Sequence, residues 1–209
     1  GELCDAMAFD DLTGLSGKLI PLFSKYPKAR LELRTKTTTI ENLLNIEPAG
    51  NIVVSWTFSP QVIIDNHEDK APSLEERLRA AVDVQNAGYN VGICLDPIIL
   101  CDGWFDHYKT MLEKIIERLD MEGIKFISLG GFRYLPSLSK VIKERDPQTN
   151  ILLSEFVPCV DGKHRYFRPI RVEAYKEIGT VIRELNKDVK ISLCMETPEV
   201  WNSVKDVLK

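Results

Sequence analysis

Two hydrophobic periods take turns along this chain. Leu31, Leu33 and Thr35 interleave with Glu32, Arg34 and Lys36, which is the period of a β-strand. Lys36 stands where that strand gives out, and Thr39 is placed to cap a helix over Ile40 to Leu44. Asn51 to Phe58 is a nearly continuous apolar run, as expected of a strand buried on both faces in a parallel sheet. Ser73-Leu74-Glu75-Glu76 spells a capping box. The helix it opens carries Leu74, Leu78, Ala81, Val82 and Gln85 on one face and ends at Gly88. Val91 to Leu95 is the next strand, and it closes on Asp96-Pro97.

The alternation continues. Trp104, Tyr108, Met111, Leu112, Ile115 and Leu119 fall on one helical face, and Ile124 to Leu129 forms a strand leading into Gly130-Gly131. Leu138, Val141 and Ile142 mark a short helix, stopped by Pro147, and Ile151 to Phe156 reads as a strand carrying Glu155. Val172 to Leu185 has helical spacing, Val189 to Met195 reads as a last strand ending at Glu196, and Val200, Trp201 and Val204 line a closing helix. Near the start, Leu15, Leu19, Leu22 and Phe23 are spaced as a helix, with Pro21 expected near its first turn. Six strands, nearly all followed by helices, specify an α/β fold: a partial (β/α) barrel or an open doubly wound sheet. No linker or low-complexity tract divides residues 1–209, so one domain is expected.

Right-handed crossovers bring the C-terminal ends of all the strands to one rim. Lys36, Ser55, Thr57, Asp96, Ser128, Glu155 and Glu196 are the polar residues expected there. A lysine, hydroxyls and carboxylates together suit a zwitterionic ligand that also bears hydroxyl groups. The alternative role for several of them is to cap the following helices, as Thr197 also does by position.

Composition narrows the choice. The formal net charge of −4 gives no global basic field, and no apolar run is long enough to span a membrane. Five scattered cysteines fit a reducing, cytoplasmic setting better than a disulfide framework. Neither they nor the three histidines show metal-site spacing. The run Gly162 to Arg171 is locally basic, with Lys163, Arg165, Arg168 and Arg171 around Tyr166 and Phe167 and no acid. As a loop it would offer phosphate contacts and stacking surfaces to nucleic acid. A barrel glycoside hydrolase with Glu155 and Glu196 as its paired carboxyls is a second reading. A nucleic-acid-binding domain built on Lys163 to Arg171 is a third.

ELRTKT with TIENLL, VVSWTFSP, LEERLRAAVDVQNAGYNVGICLDPII, ISLGGFRYLP and CMETPEVW together resemble the spore photoproduct lyase-like group of radical S-adenosylmethionine enzymes, over essentially the whole chain. The resemblance implies a partial (β/α) barrel of the radical S-adenosylmethionine type whose N-terminal strands are missing here. It also implies a [4Fe–4S] cluster, S-adenosylmethionine, a reductant, and DNA carrying a thymine-dimer lesion as partner. By motif, Glu2 would meet the methionine amine, Lys36 its carboxylate and Ser55 the carboxylate or ribose, with Asp96-Pro97 beside the adenosine. Cys4 would be a candidate hydrogen donor; by the charge and aromatic pattern read above, Lys163, Arg165, Tyr166 and Arg168 would face a nucleic acid. The CxxxCxxC that holds the cluster is absent, so its ligands are expected upstream of Gly1. The chain as given is expected to be inactive alone.

Overall fold

A computed structural model describes residues 5–209. Two short helices, α1 (Asp10–Thr13) and α2 (Leu15–Ser24), precede β1 (Leu31–Thr35) and α3 (Glu41–Leu44). Then come β2 (Ile52–Thr57), α4 (Gln61–His67), α5 (Leu74–Asn86), β3 (Asn90–Ile98), α6 (Trp104–Arg118) and β4 (Ile124–Gly131). The remainder is β5 (Arg133–Tyr134), α7 (Pro136–Arg145), β6 (Phe156–Pro158), β7 (His164–Tyr166), α8 (Arg168–Leu185), β8 (Ile191–Leu193) and α9 (Pro198–Leu208). Five strands form a parallel sheet in the order β1-β2-β3-β4-β8, and β5-β7-β6 form a small antiparallel sheet beside it. The parallel order and the helical crossovers are those expected of a partial (β/α) barrel.

The register sorts each strand into two faces. Leu33, Val54, Ile93, Ile127 and Ile191 share one face, buried against the helices with Leu78, Leu112, Ile115, Ile178 and Val200 in one continuous core. The opposite face carries Arg34, Ser55 and Gly92 in one row, and Thr57, Cys94, Ser128 and Ser192 in the next. β2 is buried along its whole length, as its apolar run predicts. Its two faces still differ in kind, because Ser55 and Thr57 belong to the polar one. Gly92 makes that face possible. A Cβ there would sit 2.4 Å from Ser55 Oγ and 2.8 Å from the Phe126 ring, far inside contact distance.

Four local expectations are corrected. Thr39 does not cap α3: the cap position is Ile40, with no side-chain bond, and Thr39 Oγ1 accepts from the Thr37 hydroxyl instead (3.1 Å). Pro21 lies inside α2, not in its first turn. Ile151 to Phe156 is not a strand of the parallel sheet: residues 151–152 are a turn, and Phe156 begins the antiparallel β6. Of its apolar side chains Phe156 supports the small sheet, packing on Tyr134 and stacking on Tyr166 at 4.7 Å, whereas Leu153 is exposed. The basic run is not a loop, since it folds as β7 and the start of α8. The capping box is present as written: the Ser73 hydroxyl accepts from the Glu76 N–H, and Glu76 accepts from the Ser73 N–H at 2.8 Å.

Candidate functional site

A cavity of about 660 Å³ opens at the C-terminal ends of β1, β2, β3 and β8, the end at which ligands bind in such sheets. Asp5, Arg34, Lys36, Thr57, Asp96, Pro97, Phe132, Arg133, Cys194 and Met195 are among its lining residues. Alternation along β1 sends Glu32, Arg34 and Lys36 toward it, while Leu33 faces the core. The end of β1 is tied down by Asp5. One carboxylate oxygen accepts from the Thr35 hydroxyl (2.7 Å) and the other from the Lys36 N–H (2.9 Å). On the far side of the strand, Trp56 donates its indole N–H to the Thr37 carbonyl (3.1 Å).

Lys36 is half-buried, and its ammonium lies 2.9 Å from Glu68. Asp96 accepts both Nη groups of Arg133, at 2.7 and 3.3 Å, and Arg34 approaches it at 3.8 Å. Gly130 leaves room for that carboxylate, since a Cβ there would stand 2.5 Å from Asp96 Oδ1. Arg133 also reaches the Met195 sulfur at 3.2 Å and the Cys194 sulfur at 3.8 Å.

The charges fix protonation. Burial pushes the Glu68 carboxyl up, but Lys36 and Arg77 outweigh it and hold it below its ordinary 4.5. Burial likewise opposes ionisation of Asp96, but the Arg133 fork wins and holds it below 3.8. Burial pushes the Cys94 thiol up to about 12, so it stays protonated. Burial, followed by the neighbouring Asp96, raises Cys194 as well. A carboxyl depressed in the folded state contributes its full stability above the unfolded value and loses it as pH falls through the folded one. Thermal unfolding is therefore expected to keep its midpoint until pH drops below the ordinary values of 4.5 and 3.8, then to lose it. Asp96→Asn should flatten that acid limb, and a limb of unchanged slope would remove Asp96 from this role.

The cavity gathers some of the sequence candidates and not others. Lys36, Thr57 and Asp96 line it together. Ser55 lies one row deeper, fully buried, and its hydroxyl finds no partner among the described residues. Ser128 is also buried, and it does not line the cavity. Glu2 and Cys4 fall outside the described residues. The paired-carboxyl reading fails. Glu155 is exposed ahead of β6, whereas the Glu196 side chain is only 2% exposed, 2.9 Å from Arg171 Nε and accepting the Tyr175 hydroxyl at 2.8 Å. Such a carboxylate is an internal counter-ion, not a nucleophile facing a sugar.

The basic run is largely internal too. Arg165 is buried with both Nη groups on Asp161 at 2.7 Å, an acid one residue outside the run. Tyr166 is buried, its hydroxyl accepting from the Leu100 N–H (3.2 Å). Arg168 is exposed at the start of α8, and Lys163 is half-buried with Nζ 3.9 Å from the Met195 sulfur. Arg165 also donates to the Met195 carbonyl at 3.3 Å, so β7 borders the cavity through Met195. Asp5, Arg34, Glu68 and Arg133 were missed by sequence reasoning. For Arg34 the signal was present, because it shares the Lys36 parity on β1. For Glu68 and Arg133, which sit outside the parallel strands, no local pattern marks them.

Comparison with known proteins follows the same lines. Spore photoproduct lyases of Clostridium acetobutylicum and Bacillus subtilis are 24% and 28% identical over 153 residues. The matches cover 73% and 72% of this chain and 45% of each relative, so the chain spans about half the length of the curated relatives it matches. Two solved structures share the fold. A cysteine-to-alanine variant of spore photoproduct lyase matches with TM-score 0.82 at 23% identity, covering 90% of this chain and 57% of the other. A variant described as having bound AdoMet and dinucleoside spore photoproduct matches at 0.80 and 22%, with the same coverage. The parallel sheet thus has the same partial (β/α) barrel fold as those structures. The family model for spore photoproduct lyase matches residues 3–175, and this chain belongs to that family.

Proposed function

We propose that this chain forms the S-adenosylmethionine-binding part of a radical lyase that acts on a photoproduct in DNA. The observation that carries the proposal is the convergence of Lys36, Thr57, Asp96 and Phe132 on one cavity of about 660 Å³, within the usual range for small-molecule sites. The cofactor's groups find partners there. Lys36 would offer an ammonium to its carboxylate, Asp96 and Thr57 would meet its amine or hydroxyl groups, and Phe132 would give an apolar wall to the adenine, all four lining the cavity. When bound, S-adenosylmethionine would supply, on one-electron reduction by the cluster and release of methionine, a deoxyadenosyl radical able to take a hydrogen atom from the substrate.

The residues here bind and orient. Asp5 and Trp56 fix the backbone on either side of Lys36. Arg133 keeps Asp96 ionised and immobile. Cys94 and Cys194 remain thiols, so they place no negative charge beneath the ligand. Among the described residues no three His, Cys, Asp or Glu side chains gather as a metal site, and a [4Fe–4S] cluster belongs to the same proposal. A DNA substrate is supported by the relatives' dinucleoside spore photoproduct complexes and by β7, which brings Lys163 beside the cavity rim. A reductant and a reducing cytoplasmic setting belong to the same proposal. No helix of the described residues is long and apolar enough to cross a membrane.

The test is Lys36→Ala in the full-length protein, followed by titration with S-adenosylmethionine. Loss of one charge-assisted bond is worth about 1.5–3 kcal/mol, or roughly 10- to 150-fold in affinity. Unchanged affinity would remove Lys36, and with it the placement of the cofactor.

A further inference from the structure

Lys36 is itself held from behind. Glu68 Oε1 receives the Lys36 ammonium at 2.9 Å and the Ser59 hydroxyl at 2.8 Å. Its other oxygen receives Arg77 Nη2 at 2.5 Å. Arg77 is completely buried and fixed on two backbone carbonyls, Thr57 through Nη1 (3.0 Å) and Pro72 through Nε (2.9 Å). Ser59, Glu68 and Arg77 do not line the cavity, whereas Lys36 and Thr57 do. We propose that Glu68 and Arg77 form a positioning relay that aims the Lys36 ammonium at the ligand carboxylate and keeps its charge available. This inference rests on the cofactor reading above.

The charge argument concerns what the ligand meets. Lys36 and Glu68 alone would cancel, and an arriving carboxylate would find a neutral pair. With Arg77 on the second oxygen, the group holds two cations and one anion, so a ligand carboxylate completes the balance. The geometric argument concerns entropy. A lysine stem carries about 2 kcal/mol of rotamer freedom. Anchoring one of its three N–H donors on an immobile carboxylate removes much of that freedom before the ligand arrives. Glu68 is immobile because Ser59 and Arg77 occupy both of its oxygens. Arg77 is held in turn by α5, whose capping box at Ser73 starts the helix one turn earlier.

The experiment compares two ligands on the full-length protein by calorimetric titration: S-adenosylmethionine and its decarboxylated analogue. Arg77→Gln leaves Glu68 to neutralise Lys36, and affinity for S-adenosylmethionine is expected to fall roughly 10-fold or more. Ser59→Ala loosens Glu68 without changing charge, with an expected loss of about 3-fold. Affinity for the analogue should stay within about 2-fold in both, since it has no carboxylate to receive. Ser59→Ala keeps the test decisive if Arg77→Gln fails to fold. Equal losses for both ligands would mean that the relay only supports structure, and the proposal would fall. If the unmodified protein binds the two ligands equally, Lys36 does not meet a carboxylate, and the underlying cofactor reading fails first.

Discussion

Arg171→Met is expected to destabilise the full-length protein by about 3–5 kcal/mol, the usual effect of removing one partner of a buried ion pair. Arg171 and Glu196 have side chains only 5% and 2% exposed, and Arg171 Nε lies 2.9 Å from the carboxylate. Without the guanidinium, Glu196 keeps the Tyr175 hydroxyl at 2.8 Å but no positive charge. The Tyr166 carbonyl at the end of β7, which accepts from Arg171 Nη1, loses its donor as well. For a folded unit of 209 residues the loss corresponds to a fall in thermal midpoint of roughly 6–20 °C. Replacing both residues with apolar side chains should restore most of it, because the cost lies in the unpaired charge. A single variant within about 1 kcal/mol of the parent would show that the carboxylate reaches water or protonates freely. The pair joins the first turn of α8 to the segment just after β8, so the same variant reports on whether the small sheet stays docked at the cavity.

The second large effect belongs to Trp56. Its side chain is wholly buried on the apolar face of β2, and Trp56→Ala removes it from the core. Such truncations cost about 3–5 kcal/mol, part transfer and part cavity. Trp56→Phe separates the two roles, because it keeps most of the volume and loses the N–H that reaches the Thr37 carbonyl at 3.1 Å. That variant should lose only about 1 kcal/mol in unfolding by denaturant. It should nonetheless weaken S-adenosylmethionine binding, since Thr37 follows Lys36 directly. A Trp56→Phe protein with unchanged ligand affinity would show that the Lys36 backbone is held well enough by Asp5 alone.

Much of the fold could be read from period alone. The five strands of the parallel sheet and most of the helices after them, α4 excepted, follow from runs such as Asn51 to Phe58 and the face Leu74, Leu78 and Ala81. A buried strand and an amphipathic helix leave distinct local patterns. The capping box at Ser73 was legible for the same reason: both of its bonds lie within four residues. The segment from Ile151 to Phe156 misled because a short apolar run says nothing about which neighbour it pairs with. The choice of β7, and the antiparallel direction, comes from aromatic packing of Phe156 on Tyr134 and Tyr166.

By itself the sequence determined the α/β class, the polar end of β1, and the place of Lys36 and Asp96 at strand ends, where both line the cavity. Those are properties of local spacing. Only the tertiary structure decided which charges are available and which are neutralised. Glu196 and Arg171 look like site residues in the sequence, yet they cancel each other inside the protein. Arg165 looked unopposed until Asp161 was seen to take it. Conversely, Glu68 and Arg77 acquire a role only because the fold sets them behind Lys36. The reason is physical: a charge's function depends on its neighbours within a few ångströms, and neighbours across a parallel sheet lie tens of residues apart in the chain.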